Sequence, residues 1–172
     1  YLNTNLIGDY NFENILAATC IGNYFGVDPL AIQKALKNYY PQNNRSQLIN
    51  KNGLKITMDA YNANPTSMQA SIKSFMSNIS DNSFLILGDM LELGEFSLEE
   101  HKAILDLLKN YPASKVFTVG KNFAEVSPDY NCQSFQNVTK LCEYFHQNPI
   151  KNGEILIKGS RGIQLEKVLA CF

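Results

Sequence analysis

Long apolar runs are missing from this chain. The longest are short blocks such as Phe84 to Leu87 and Ile155 to Ile157. No segment is therefore expected to span a bilayer, and no signal peptide is expected. Charge of one sign is missing too: 15 Lys and Arg are interspersed with 16 Asp and Glu, for a net charge of -1. Without a basic face or run, neither nucleic acid nor an anionic membrane is expected as a partner. Histidine is scarce, with His101 and His146 far apart, and Cys20, Cys132, Cys142 and Cys171 form no CxxC pair. That spacing argues against zinc and gives no metal site. Buried, reduced thiols in a cytoplasmic protein are the expectation instead. The GxxxxGK[ST], GxSxG and HExxH motifs are also absent, so no self-contained catalytic centre is visible.

What remains is a chain rich enough to fold. Its 172 residues are 45% hydrophobic and 11% aromatic, which suits one domain, or one domain with an appendage, and excludes disorder. There are no repeats or low-complexity tracts. The sequence opens at Tyr1 without a methionine, so a piece of a longer protein is expected.

Two helices are predicted first. Apolar residues at Ile15, Leu16, Ala18 and Ile21 have near-helical spacing over Asn11 to Phe25, and Gly26 can end that helix. Asp28-Pro29 starts another, with Ile32, Ala35, Leu36 and Tyr39 on its inner face. Pro41-Gln-Asn-Asn44 breaks the pattern, dividing a helical unit, 1–45, from a second, 46–172. Beyond it, strands and helices alternate. Strands are predicted at Leu54 to Asp59, Phe84 to Leu87, Lys115 to Val119, Cys132 to Phe135 and Glu154 to Lys158. Helices are predicted at Thr66 to Ser77, Ser97 to Asn110, Val138 to His146 and Gly162 to Leu169. Capping boxes are read at Thr66-x-x-Gln69 and Ser97-x-x-Glu100. This rhythm predicts an α/β fold with a mostly parallel sheet covered on both faces.

Ligands of such sheets bind beyond the carboxyl ends of the strands. Four ends carry polar or glycine-rich residues: Asp59 to Pro65, Gly88 to Met90, Gly120 to Asn122 and Lys158 to Gly162. One polar cleft is predicted from all four. Lys158-Gly-Ser-Arg-Gly162 runs into a predicted helix start, where free N–H groups and two cations favour an anion; a plain glycine turn is the alternative. Asp59 suits ribose hydroxyls or local turn bonding equally. Tyr61, Asn62 and Asn64 suit turn chemistry, or a peptide or sugar ligand. Asp89 is either a ligand residue or a cap. His101, beside Ile104, Leu105 and Leu108, reads as a core-edge histidine, and Glu92, Glu95, Glu99 and Glu100 as complements of a helix dipole.

Five segments, taken together and in order, resemble one family. They are Gly8-x-x-Asn11-x-x-Asn14-x-Leu-Ala-Ala18, Asn44-Arg45, Asp59-Ala-Tyr-Asn-Ala-Asn-Pro-Thr-Ser-Met68, Leu87-Gly-Asp-Met-Leu-Glu-Leu-Gly94 with His101, and Ile157-Lys-Gly-Ser-Arg161 with Glu166. The chain is similar to Mur ligases, closest to the branch that adds D-alanyl-D-alanine to the UDP-N-acetylmuramoyl tripeptide. It departs from that pattern at Tyr10, Asn44, Met58 and Ala60, where the family has His, Gly, Asp and Ser. The resemblance implies the tail of a central ATPase domain followed by a Rossmann-like C-terminal domain. It implies ATP-dependent amide formation through an acyl phosphate in peptidoglycan synthesis, with the phosphate loop and magnesium ligands on absent upstream domains. It further implies that Asn11 and Asn14 contact adenine, Arg45 the ATP phosphates and Asp59 the ribose. Tyr61, Asn62, Asn64, Lys158, Ser160, Arg161 and, more weakly, Asp89 would face the substrates. A monomer is expected, inactive as a fragment. A sister ligase, a folylpolyglutamate synthase-like enzyme and a non-catalytic binding module are the alternatives.

Overall fold

The computed structural model describes residues 2–77, 82–111 and 115–172. Two helices come first, α1 (Phe12–Tyr24) and α2 (Pro29–Asn38). The Asp28 carboxylate caps α2, accepting from Leu30 N and Ala31 N, with Pro29 in the first turn. Neither helix contains a buried residue. Of the inner face expected on α2, Ile32 and Leu36 are half-buried, while Ala35 and Tyr39 stay exposed. Helical spacing gave the right helices, but the chain offers them no core to pack on.

The sheet begins with a hairpin that hydrophobic pattern did not reveal. Strands β1 (Gln47–Lys51) and β2 (Leu54–Asp59) pair antiparallel, Lys51 opposite Leu54. Asn52 and Gly53 join them with φ of 49° and 84°, the positive pair that a tight two-residue hairpin turn requires. The chain then winds through α3 (Pro65–Met76), β3 (Ser83–Gly88), α4 (Ser97–Leu108), β4 (Lys115–Val119), α5 (Lys121–Val126), β5 (Gln133–Phe135), α6 (Val138–Gln147) and β6 (Gly153–Lys158). The strand order is β1-β2-β6-β3-β4-β5, and every pair after the hairpin is parallel.

Alternation along the strands feeds two cores. Ile56, Ile86, Phe117 and Ile157 face Leu141 and Phe145 of α6, with Leu165 and Val168 of the C-terminal segment. Leu85, Leu87, Val116 and Leu156 face Met68 and Ile72 of α3, Ile104 and Leu105 of α4, and Phe123 of α5. All six positions of β3 are buried, as expected for a strand covered on both sides.

Several local expectations are corrected. The cap of α3 is Asn64, which accepts from Ser67 N at 2.8 Å while Ser67 Oγ accepts from Asn64 N. The predicted Thr66–Gln69 box is thus displaced by two residues, because Pro65 takes the first helical position. No side chain caps α4; Ser97 lies inside the first turn and its hydroxyl is 3.5 Å from His101 Nδ1. The last predicted helix is instead two 3-10 segments, Arg161–Ile163 and Leu165–Cys171, separated by Gln164 at φ 61°. Cys142 and Cys171 are not reduced thiols. They form a disulfide between α6 and the C-terminal segment, with Cα atoms 5.5 Å apart, a tertiary proximity that sequence spacing does not encode. Cys20 is exposed and Cys132 half-buried, so the expectation of buried thiols fails at Cys20 and holds in part at Cys132. Among the described residues, no helix is long and apolar enough to cross a membrane.

Candidate functional site

A cleft of about 840 Å³ lies between the helical segment and the carboxyl ends of β2 and β6. One wall is largely apolar, with Leu6, Ile15, Ala18 and Leu36 beside Asn11 and Asn14. The other is polar, built from Arg45, Ser46, Asp59, Tyr61, Asn62, Asn64, Ser71 and Lys158. Pairing register explains the centre of that wall. Asp59 and Lys158 are partners at the ends of β2 and β6. Lys158 Nζ donates to Asp59 Oδ2 at 2.6 Å, and Ser71 Oγ to the same oxygen at 2.9 Å. Oδ1 accepts from Ser46 N at 3.1 Å and faces Ser46 Oγ at 3.5 Å. The Tyr10 hydroxyl lies 3.0 Å from Ser46 Oγ and ties the helical segment into this network. Both oxygens of Asp59 are therefore engaged, and the Lys158 ammonium is almost fully buried.

The other candidates divide. Asn11 donates to Ile7 O at 2.7 Å and accepts from Asn14 at 2.9 Å, so the two amides hold each other at the apolar wall. Asn62 Oδ1 accepts from Ala63 N, and Asn64 caps α3, as turn chemistry demands. The Arg45 guanidinium lies 3.7 Å from the centroid of the Tyr61 ring and that of Arg161 5.2 Å from it. Ser160 is turned inward: its hydroxyl accepts from Leu91 N at 2.9 Å and donates to Ala63 O at 3.4 Å.

Asp89 also lies away from the cleft. It is 3% exposed, and its oxygens accept from Asn122 N and Phe123 N, each at 2.9 Å. It caps α5, an element that sequence reading missed. The cleft expected from four strand ends is thus built from two. The ends of β3 and β4 are occupied with each other, Asp89 N donating to Val119 O as well. The expected helix start for an anion at Lys158–Gly162 reduces to a three-residue 3-10 turn. His101 is fully buried rather than at the core edge. Its Nε2 accepts from Met90 N at 3.0 Å, and Nδ1 lies 2.6 Å from Ser97 O. This pattern assigns the Nδ1–H tautomer. The 3.6 Å approach of Nε2 to Asp89 is then proximity, not an ion pair.

Ser46, Ser71 and Tyr10 were missed. Ser71 left one signal, a small polar residue beside Ile72 on the buried face of α3. Ser46 left none, since its contacts depend on where the hairpin begins, and Tyr10 stood out only as a departure from the family pattern.

A doubly wound sheet with its cleft at the strand ends defines a Rossmann-like ligand-binding domain. Residues 44–161 match the family described as Mur ligase, glutamate ligase domain, and the chain belongs to that family. Among its relatives is the UDP-N-acetylmuramoyl-tripeptide–D-alanyl-D-alanine ligase of Bacillus subtilis (strain 168), 34% identical over 173 residues, covering 95% of this chain and 38% of that protein. Among solved structures, a MurF from Acinetobacter baumannii superposes with TM-score 0.85 at 26% identity, covering 98% of this chain and 39% of that one. The MurF ligase from Thermotoga maritima in complex with ADP gives TM-score 0.78 at 25% identity, covering 96% and 38%. The chain spans well under half the length of the relatives it matches.

Proposed function

We propose that this chain is the C-terminal part of an ATP-dependent ligase that joins D-alanyl-D-alanine to the UDP-N-acetylmuramoyl tripeptide in peptidoglycan synthesis. Residues 1–45 would end a central ATP-binding domain and its linker, and 46–172 would form the C-terminal domain. The observation that carries this reading is the two-walled cleft, in which Asn11, Asn14, Arg45, Asp59, Tyr61 and Lys158 surround one space. Similarity to the Bacillus subtilis ligase supports the choice of amine.

In the reaction, the tripeptide carboxylate takes the γ-phosphoryl group of ATP, releasing ADP. The amine of D-Ala-D-Ala then attacks the acyl phosphate, and phosphate leaves through a tetrahedral intermediate. This chain's residues contribute position and charge. Leu6, Ile15, Ala18 and Leu36 form an apolar bed for adenine beside Asn11 and Asn14. Arg45 turns a guanidinium toward the phosphates. Asp59 accepts from ribose only through lone pairs left by Lys158, Ser46 and Ser71. Lys158 fixes Asp59, Asn62 and Asn64 form the substrate side, and the Tyr61 ring stacks on Arg45. Ser160 and Asp89 hold the loops from behind rather than touching ligand. The donor set does not fit magnesium: among the described residues, no group of three or more His, Cys, Asp or Glu could hold a metal. Magnesium ligands would lie in the upstream domains. The full protein is proposed to act as a cytoplasmic monomer.

The test is phosphate release by the full-length protein with ATP, the UDP-muramoyl tripeptide and D-Ala-D-Ala. Turnover should require D-Ala-D-Ala and fall at least about tenfold in Arg45→Ala and in Asp59→Ala. The 172-residue chain alone should give none. Turnover with another amine would move the protein to a sister ligase. No turnover with any amine would leave a binding module.

A further inference from the structure

Two guanidinium groups from opposite ends of the sequence meet on one aromatic ring. Arg45 belongs to the link before β1 and Arg161 to the turn after β6. Their Cζ atoms lie 3.7 Å and 5.2 Å from the Tyr61 centroid, both within the roughly 6 Å at which a ring face attracts a cation. The backbone that carries the ring is tied to the same link, because Tyr61 N donates to Asn44 O at 3.2 Å, beside Arg45. Its hydroxyl has no hydrogen bond among the described residues.

Both cations lie over the same ring, yet neither has a counter-ion among the described residues. The ion pairs present use Lys55, Lys109, Lys140 and Lys158. Asp59, close in sequence to Tyr61, is committed to Lys158. Each guanidinium carries five N–H donors in a planar fork, and none of those donors meets a protein acceptor among the described residues. Both arginines are exposed, and the ring face supplies only part of the counter-charge that two cations attract. An incoming anion with several oxygens supplies the rest. Paired forks suit phosphoryl oxygens, which accept two bonds from each.

We propose that Tyr61 is a positioning residue whose ring, not its hydroxyl, sets Arg45 and Arg161 as a paired grip for the phosphoryl groups of a nucleotide. This rests on the ligase reading above. It moves Tyr61 and Arg161 from the substrate side, where the family resemblance puts both, to the nucleotide side, and it makes the β6 turn part of phosphate binding.

The experiment uses the full-length protein with Tyr61→Phe, Tyr61→Leu and Arg161→Ala. Calorimetry measures the affinity for inorganic tripolyphosphate, and kinetics give the KM for ATP and for D-Ala-D-Ala. Tyr61→Phe keeps the ring and should hold both phosphate readouts within about twofold of the parent. Tyr61→Leu and Arg161→Ala should each weaken tripolyphosphate binding and raise the KM for ATP by about five- to tenfold, leaving the KM for D-Ala-D-Ala unchanged. Thermal melting checks the fold; if Tyr61→Leu unfolds, Arg161→Ala and Tyr61→Phe decide. The proposal is overturned if Tyr61→Phe is as weak as Tyr61→Leu, if a folded Tyr61→Leu binds tripolyphosphate like the parent, or if Arg161→Ala raises only the KM for D-Ala-D-Ala. Should the parent form no amide with any amine, the ligase reading falls, while tripolyphosphate binding still decides the grip.

Discussion

Lys158 and Asp59 meet because two parallel strands end in register, and their ion pair is nearly dry on the lysine side. Breaking such a pair from one end strands the other charge. Lys158→Met should therefore cost about 3–5 kcal/mol, read as a lower urea midpoint. Replacing Asp59 as well, in Asp59→Asn with Lys158→Met, should recover much of that loss, and no recovery would show that the lysine stem, not the charge, matters. A second residue-scale prediction concerns thiols. Burial pushes the Cys132 thiol above its ordinary value, so the thiol form persists as pH rises through the range where an ordinary cysteine ionises. Iodoacetamide at pH 8 should then modify exposed Cys20 well before Cys132, as peptide mass spectrometry will show; equal rates would refute the burial. At this scale the identity of polar residues was legible, but their direction was not. Asp59 ends β2 and Asp89 directly follows β3, yet one faces a cleft and the other caps α5. The difference lies in the neighbouring strand, which no local pattern contains.

Helix and strand existence was legible because apolar periodicity reports burial directly. The misses lay where one residue or one contact decides. An Asn-Gly turn made β1 a hairpin arm, Pro65 moved a cap by two positions, and Gln164 interrupted the last segment. Element α5 escaped because its N-terminus is capped from β3 rather than by a neighbour in sequence. That cap leaves no room at Gly120, whose φ is 129° and where a Cβ would lie 2.2 Å from the Asp89 carboxyl carbon. Gly120→Ala should lower stability by about 3 kcal/mol, and a melting temperature unchanged from the parent would contradict the packing. The disulfide closes a ring across a sequence separation of 29, for which chain entropy gives roughly 3–4 kcal/mol. Cys142→Ser should lower the melting temperature, and a thiol reductant should lower the parent to the same value. A reductant-insensitive parent would mean that the bond adds nothing to the folded state.

At the scale of the molecule, the helical unit is the part with least to hold it. Tyr24 is 83% exposed, Phe25 76%, Leu30 73% and Phe12 66%, an apolar surface of the kind that isolated domains seldom show. Phe25→Asp with Leu30→Glu should make the 172-residue chain less prone to self-association in light scattering, with stability changed by no more than about 0.5 kcal/mol. The same pair in the full-length protein should be damaging if upstream domains cover that face. Sequence reading found these helices and their apolar residues, but amphipathic spacing announces a buried face without naming what buries it.

Strand β6 lies between β2 and β3, though it follows all five other strands in sequence. During synthesis, the β1–β2 hairpin and the β3–β4–β5 sheet emerge as separate pieces, each with an open edge waiting for the same strand. Until β6 arrives, those edges can pair with the wrong neighbour, including a second nascent chain. The strand that places Lys158 against Asp59 is also the one that makes a single sheet, so the cleft and the fold become complete in the same event.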